Sequence, residues 1–184
     1  MPFDHFGLIA PLYNRQHEYS SIKTMIEVAA LPMGGLLLDV GGGTGRVAAA
    51  LYDQAGRIII ADPSLGMLRF AINKPGIQII AACSENLPFP DGSFQRVIMV
   101  DALHHVVDQT STARELLRVL EPGGRLVIEE PDIHTFGVKL IALVEKLLLM
   151  RSRFYSPKQI ASFFPGENTS VLTNSYTAWV VIEK

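Results

Sequence analysis

Five short runs of apolar, largely β-branched residues, at 36–40, 57–61, 77–81, 96–100 and 125–129, recur along the chain with long intervening segments. Runs this continuously apolar, without polar alternation, are those of strands buried on both faces. That is the situation of a parallel sheet with helices packed above and below it. The segments between them carry helical signals. Residues 46–54 follow a glycine-rich loop, 64–73 open on Ser64 as a cap, and 109–120 place Leu116, Leu117 and Leu120 on one face before Glu121-Pro122-Gly123-Gly124 stops the helix. The end of the chain departs from this pattern, because the strand-like runs 170–173 and 176–183 are separated only by Asn174-Ser175. Two residues cannot carry a parallel crossover, so the pair is expected to be an antiparallel hairpin. The expectation is an α/β three-layer sandwich around a seven-stranded, mostly parallel sheet that ends in an antiparallel hairpin.

No repeat, low-complexity tract or linker divides the 184 residues, and a chain of this length buries about 70% of its unfolded surface as one domain. Residues 1–184 are therefore expected to form a single domain, with 1–30 as a helical N-terminal cap and 131–165 as helices on the substrate side. The formal net charge of -2 provides no global field for nucleic acid or an anionic membrane. A single cysteine, Cys83, excludes an internal disulfide and points to the cytoplasm. The first residues lack the basic-then-apolar layout of a signal peptide. The longest apolar stretch, 138–150, carries Lys139, Glu145 and Lys146 and is too short to span a bilayer. It reads as a helix against the sheet, or else as the wall of a greasy acceptor pocket or a homodimer contact, with Arg151 and Arg153 at its end.

The first run ends in Asp39-Val40 and enters Gly41-Gly42-Gly43-Thr44-Gly45. A strand feeding such a loop and then a helix brings backbone close to a nucleotide-like ligand. The spacing is G-x-G-x-G. A dinucleotide fingerprint requires its third small residue one place later, where this chain has Arg46, so an adenosine-type ligand without a diphosphate is expected. Asp62 ends the second run, where a carboxylate accepts both hydroxyls of a ribose; with Pro63-Ser64 behind it, the competing role is a helix cap or turn. Asp39 either ties down the loop through its amides or faces a cationic ligand. His104 and His105 follow the fourth run, at the ligand edge of the sheet, and serve either as a general base or as packing and capping groups. Glu129, Glu130, Asp132 and His134 share that edge, but no ligand spacing joins them and no metal is expected.

These segments together resemble the class I S-adenosylmethionine-dependent methyltransferases. Leu38-Asp39-Val40-Gly41-Gly42-Gly43-Thr44-Gly45 is similar to that family's first motif. In the same order follow Ala61-Asp62-Pro63-Ser64 with Met67 and Leu68, then Leu87-Pro88-Phe89-Pro90-Asp91-Gly92-Ser93-Phe94, then Leu120-Glu121-Pro122-Gly123-Gly124-Arg125-Leu126. The third segment, the following Asp101-Ala102-Leu103-His104-His105 and the opening residues 3–13 resemble the ubiquinone- and menaquinone-biosynthesis branch. The resemblance implies a Rossmann-like fold and S-adenosyl-L-methionine as cofactor. Asp39 with Gly41, Gly42, Gly43 and Gly45 would hold its methionine part, Asp62 and Pro63 its ribose, and Met67 its adenine. Ser84, Glu85 and Asn86 would close over the base, Asp101 and Ala102 would lie near the sulfonium and the acceptor, and Tyr13 would close over the methionine end. Many relatives carry an acid where this chain has Cys83, a weak donor and acceptor. The implied activity is methyl transfer to a small molecule, aromatic or quinone-like, and not to nucleic acid. The alternatives are a cofactor-binding protein without transfer activity and a nicotinamide-dependent reductase.

Overall fold

The computed structural model describes residues 4, 6–7, 10–11, 19–133 and 152–184. Its centre is one seven-stranded sheet in the order β3-β2-β1-β4-β5-β7-β6. The strands are β1 (Leu36–Val40), β2 (Arg57–Asp62), β3 (Ile77–Ala81), β4 (Phe94–Val100), β5 (Leu120–Pro131), β6 (Asn168–Asn174) and β7 (Thr177–Glu183). The first five are parallel to one another, while β7 runs antiparallel to both β5 and β6. The α-helices whose bounds lie within the described residues are α1 (Ile22–Val28), α2 (Arg46–Ala50), α3 (Leu65–Ala71), α4 (Gln109–Val119) and α5 (Pro157–Ala161).

Successive residues of a strand point to opposite faces, which is why the inner strands must be apolar throughout. Along β1, Leu36 and Leu38 join the core shared with α4 and α5, whereas Leu37 joins the core shared with α1, α2 and α3. In β4 the same alternation sends Val97 and Met99 one way and Ile98 and Val100 the other. Leu116 and Val119 of α4 and Ile160 of α5 seal the first face. Met25, Val47 and Leu68 seal the second, together with Trp179 of β7. Asp39 takes a place in the second face and is only 1% exposed.

Three expectations change in detail. The helix expected over 46–54 breaks after Ala50 and continues as a separate 3-10 turn, Tyr52–Gln54. The hairpin turn is Ser175-Tyr176, not Asn174-Ser175: Asn174 still pairs with Thr177, and Ser175 takes the positive φ of 53° that a tight turn requires. β5 starts earlier than expected, at Leu120, so Glu121-Pro122-Gly123-Gly124 both ends α4 and forms an irregular strand entry, with a register shift opposite Phe94–Arg96. Among the described residues no helix is long and apolar enough to cross a membrane. The apolar helix expected over 138–150, Tyr13 with residues 1–3, 5, 8–9 and 12–18 of the expected N-terminal cap, and residues 134–151 of the expected substrate-side segment lie outside the described residues.

The motif 87–94 has a structural role. Arg118 of α4 donates to the carbonyls of Leu87 (2.9 Å) and Phe89 (2.7 Å) and to Asp91 (2.8 Å), while Glu115 accepts from the Leu87 amide at 2.8 Å. The clamp fixes residues 87–91 on α4, and with them the 82–86 loop that reaches the ligand edge.

Candidate functional site

A cavity of about 280 Å³ opens at the carboxyl ends of β1, β2 and β4. The chain crosses from one side of β1 to the other there, since β2 and β4 flank it. Such a switch point leaves a crevice in open α/β sheets.

The glycine loop forms the floor. Gly41 has a φ of 73°, and a Cβ on it would lie 2.5 Å from the Cβ of Ala102, so this crossing of two strand ends admits no side chain. Gly42 and Gly43 line the cavity as well. Gly45 does not: buried at a φ of 74°, it lets α2 approach within about a methyl contact of Ile60 and Ala71. The close packing that Arg46 cannot provide is thus supplied one residue earlier.

The two strand-end aspartates divide the roles weighed for them. Asp62, not Asp39, ties down the loop: it accepts from the Gly43 amide at 3.0 Å and the Ser64 amide at 2.8 Å. Its burial pushes its carboxyl up, and those two amides oppose the shift. Each oxygen keeps a further lone pair for a ligand hydroxyl. Ser64 itself caps α3 by accepting from the Met67 amide at 3.1 Å, which leaves Asp62 free of the capping role. Neither oxygen of Asp39 has a hydrogen-bond partner among the described residues. Burial, then the neighbouring charge of Asp62, pushes its carboxyl up to about 7, against the pull of Arg46 and a weaker one from the Ala48 amide. A buried carboxylate without a donor is costly, so its environment is completed by whatever fills the cavity.

Pro63, Met67, Ser84, Glu85, Asp101 and Ala102 all line the cavity, as does Cys83. Glu85 accepts from the amides of Val107 (3.2 Å) and Asp108 (3.4 Å), linking the two loops that flank the opening. Asp101 sits at a φ of 52°, strained for a residue with a side chain, and its amide donates to the Glu129 carbonyl at 2.9 Å. Glu130 braces the turn behind it by accepting from the amides of Ala102 (3.0 Å) and Leu103 (2.7 Å).

The two histidines separate. His104 is buried, 2.5 Å from the Glu130 carboxylate through Nδ1, and stacks on Phe154; it does not line the cavity. His105 does line it, with Phe6 edge-on at 4.8 Å and Ser152 Oγ 3.2 Å from Nδ1. Burial, and then the His104 charge, pushes its imidazole down to about 3. It is therefore neutral at any ordinary pH. The Arg153 amide donates to the His104 carbonyl at 2.7 Å, which docks residues 152–155 on this wall. Among the described residues no cluster could hold a metal ion.

Phe6, Thr44, Arg46, Val47, Val106 and Val107 also line the cavity and were not among the expected binding residues. Phe6 carries no periodic signal. Arg46 entered the sequence reading only as an obstacle to a diphosphate.

Comparison with known proteins agrees with this geometry. Residues 38–128 match the family model described as "Methyltransferase domain". The chain is 35% identical over 142 residues to a ubiquinone/menaquinone biosynthesis C-methyltransferase of Hahella chejuensis, covering 68% of this chain and 57% of that one. It is 33% identical over 133 residues to a demethylmenaquinone methyltransferase of Paenarthrobacter aurescens, covering 68% and 53%. The chain thus spans little more than half the length of these relatives. Among solved structures, a "possible histamine N-methyltransferase" from Thermotoga maritima superposes with a TM-score of 0.80 at 23% identity, covering 97% of this chain and 98% of that one.

Proposed function

Because the chain belongs to the class I S-adenosylmethionine-dependent methyltransferases, we propose that it moves a methyl group from S-adenosyl-L-methionine to a small-molecule acceptor with a quinone-like or phenolic ring. The observation that carries this reading is Asp39, fully buried at the cavity floor with both oxygens unpartnered, beside an Asp62 whose oxygens are aimed by backbone amides. A dinucleotide would find no acidic recess useful at its phosphates, whereas a cationic nucleoside does.

The residues present fit that cofactor, which, when bound, supplies a methyl group on a positively charged sulfur with a good leaving group. Asp62 would hold the ribose hydroxyls, Pro63 and Met67 would pack against the base, and Asp39 and Asp101 would face the positive end. Ser84 and Glu85 would close the adenine side. Placing the acceptor in line supplies much of the rate in such a displacement. Phe6, His105, Val106 and Val107, an aromatic and apolar part of the lining, would receive a flat acceptor ring. His105 is the histidine that faces the reactants. Its neutral imidazole would hold a ring hydroxyl by a hydrogen bond, and His104 with Glu130 would keep the imidazole in place. Action on a small molecule in the cytoplasm belongs to the same reading, the first supported by the absence of net positive charge and the second by the single cysteine.

Titration calorimetry with S-adenosylmethionine and its demethylated product, followed by product release over a panel of quinol, phenol and amine acceptors, tests the proposal. Binding of both nucleosides and turnover on ring acceptors are expected. No heat with either nucleoside, with binding of an intact nicotinamide dinucleotide, overturns it. Tight binding without turnover on any acceptor would instead establish a cofactor-binding protein without transfer activity, a reading that the weak basicity of His105 and the presence of Cys83 favour.

A further inference from the structure

The sheet ends in β6, which pairs with β7 on one side and has no strand on the other among the described residues. Its pairing is regular from Asn168↔Glu183 to Asn174↔Thr177, so alternate residues turn their N–H and C=O groups outward along the whole strand. Exposed edges ordinarily carry a lysine, a proline or a bulge that blocks pairing with another chain. β6 has none of these. It reads Asn168-Thr169-Ser170-Val171-Leu172-Thr173-Asn174, without a charge or a proline. The apolar pair at its centre is open to solvent, Val171 at 47% exposure and Leu172 at 43%.

The order of these residues indicates what covers them. Asn168 and Asn174 stand equally far from Val171, and so do Thr169 and Thr173. An antiparallel strand of the same sequence, related by a two-fold axis at Val171, would set valine against valine, threonine against threonine and asparagine against asparagine. Ser170 and Leu172 would face each other, with each Leu172 diagonal to its copy. Pairs of threonines and of β-branched residues are among the cross-strand contacts that stabilise antiparallel sheets. Charge permits the same arrangement. Glu167, just before the strand, would lie about 27 Å from its own copy at the strand's rise per residue. Glu183 of β7 is paired with Arg125 and accepts from Asn168 Nδ2 at 3.1 Å. No like charges meet across the axis.

We propose that β6 is the contact of a homodimer, in which two copies of this chain join their sheets edge to edge about a two-fold axis at Val171. The axis stands perpendicular to the sheet, so the carboxyl ends of β1, β2 and β4 point in opposite directions in the two chains. β5 and β7 separate each cavity from the contact. Both cavities therefore stay open, and association is independent of what they hold. Dimerisation also covers an edge that would otherwise template pairing with unrelated strands.

Sedimentation equilibrium over a range of concentrations tests this, with twice the mass of the chain expected for the wild type. Val171→Lys sets two ammonium groups against each other at the axis and is expected to weaken the dimer at least about 100-fold. Val171→Thr is expected to keep it within about 5-fold. Register is read by charge, since residue 169 of one chain faces residue 173 of the other. Thr169→Lys with Thr173→Lys is expected to give a monomer, whereas Thr169→Lys with Thr173→Asp is expected to retain a dimer that loosens as salt rises. Wild-type far-ultraviolet circular dichroism in each variant separates loss of contact from loss of fold. A wild type that stays monomeric up to about 100 μM, where even a weak specific contact is populated, overturns the proposal. So does a dimer that survives Val171→Lys, which would move the contact to another face such as 138–150, or equal association of the two double variants.

Discussion

The two sides of the cavity are built differently. The side formed by β1, β2 and their loops is made of backbone: the glycine turn, amides aimed at Asp62, and a capped helix start, all within residues 39–67. The side formed by the ends of β4 and β5 is made of side chains drawn from far apart: His105 between Phe6 and Ser152, and His104 between Glu130 and Phe154. A backbone cradle suits a part of the ligand that does not vary. A side-chain wall braced by buried carboxylates can change its specificity without disturbing the sheet. On the proposed function, this contrast would separate a half that holds the donor from a half that selects the acceptor.

The largest expected effect lies in the bracing of the second half. Glu130→Ala removes the acceptor for two buried amides and for His104, and is expected to cost about 3–5 kcal/mol of stability in denaturant unfolding. A loss under about 1 kcal/mol would mean that the wall does not depend on its carboxylate brace. Next, Asp62→Ala strikes the first half. Cofactor affinity should fall by about 100-fold, roughly 2.7 kcal/mol, in calorimetry, with a smaller loss of stability as the Gly43 and Ser64 amides lose their acceptor. Comparable affinity in that variant would dissolve the distinction between the halves.

Asp39 links the site to pH. Its folded value of about 7 stands above the 3.8 of an ordinary aspartate, so between about pH 4 and 7 the folded chain holds the proton more tightly than the unfolded chain does. The ligand-free protein should therefore lose stability as pH rises through that window, by about 1–3 kcal/mol, whereas affinity for the cationic donor should increase as Asp39 ionises. Asp39→Asn should flatten both trends, read as melting temperature and Kd against pH. A wild-type affinity independent of pH from 6 to 8 would show that Asp39 does not face the positive charge. His105 has the opposite sign. Held down to about 3, it favours the folded state above the ordinary histidine range, a contribution lost as pH falls below about 6.5. Turnover should therefore show no histidine inflection between pH 6 and 8. The smallest effect is expected at Cys83, exposed at the cavity wall that the proposed function gives to the adenine. Cys83→Asp should tighten cofactor binding by about 3-fold, and no change would assign adenine recognition to backbone and packing alone.

The inner strands were legible because each is buried on both faces, a condition written residue by residue in 36–40 and 57–61, whereas 77–81, at the sheet edge and nowhere fully buried, was legible from its β-branched run alone. The Ser64 cap was legible from local side-chain chemistry, whereas β6 starts at Asn168, two residues before the expected 170. The donor half was readable too, since Gly41, Asp62 and Met67 lie within one βαβ unit of each other. The hairpin turn slipped by one residue because Asn174 and Ser175 are equally turn-prone and only pairing with Thr177 decides between them.

What the chain's order of residues determined by itself was therefore the alternation of buried strands and capped helices, and the glycine loop with its two aspartates, all fixed by interactions among near neighbours. Tertiary structure alone decided which aspartate ties the loop and which is left bare, that His105 and not His104 faces the cavity, and that Arg46 lies over Tyr19 beside Asp101. Those outcomes depend on which distant groups share a low-dielectric space, and burial, Coulomb attraction and hydrogen bonding there act over a few ångströms between residues as many as 110 positions apart, as Tyr19 and Glu129 are.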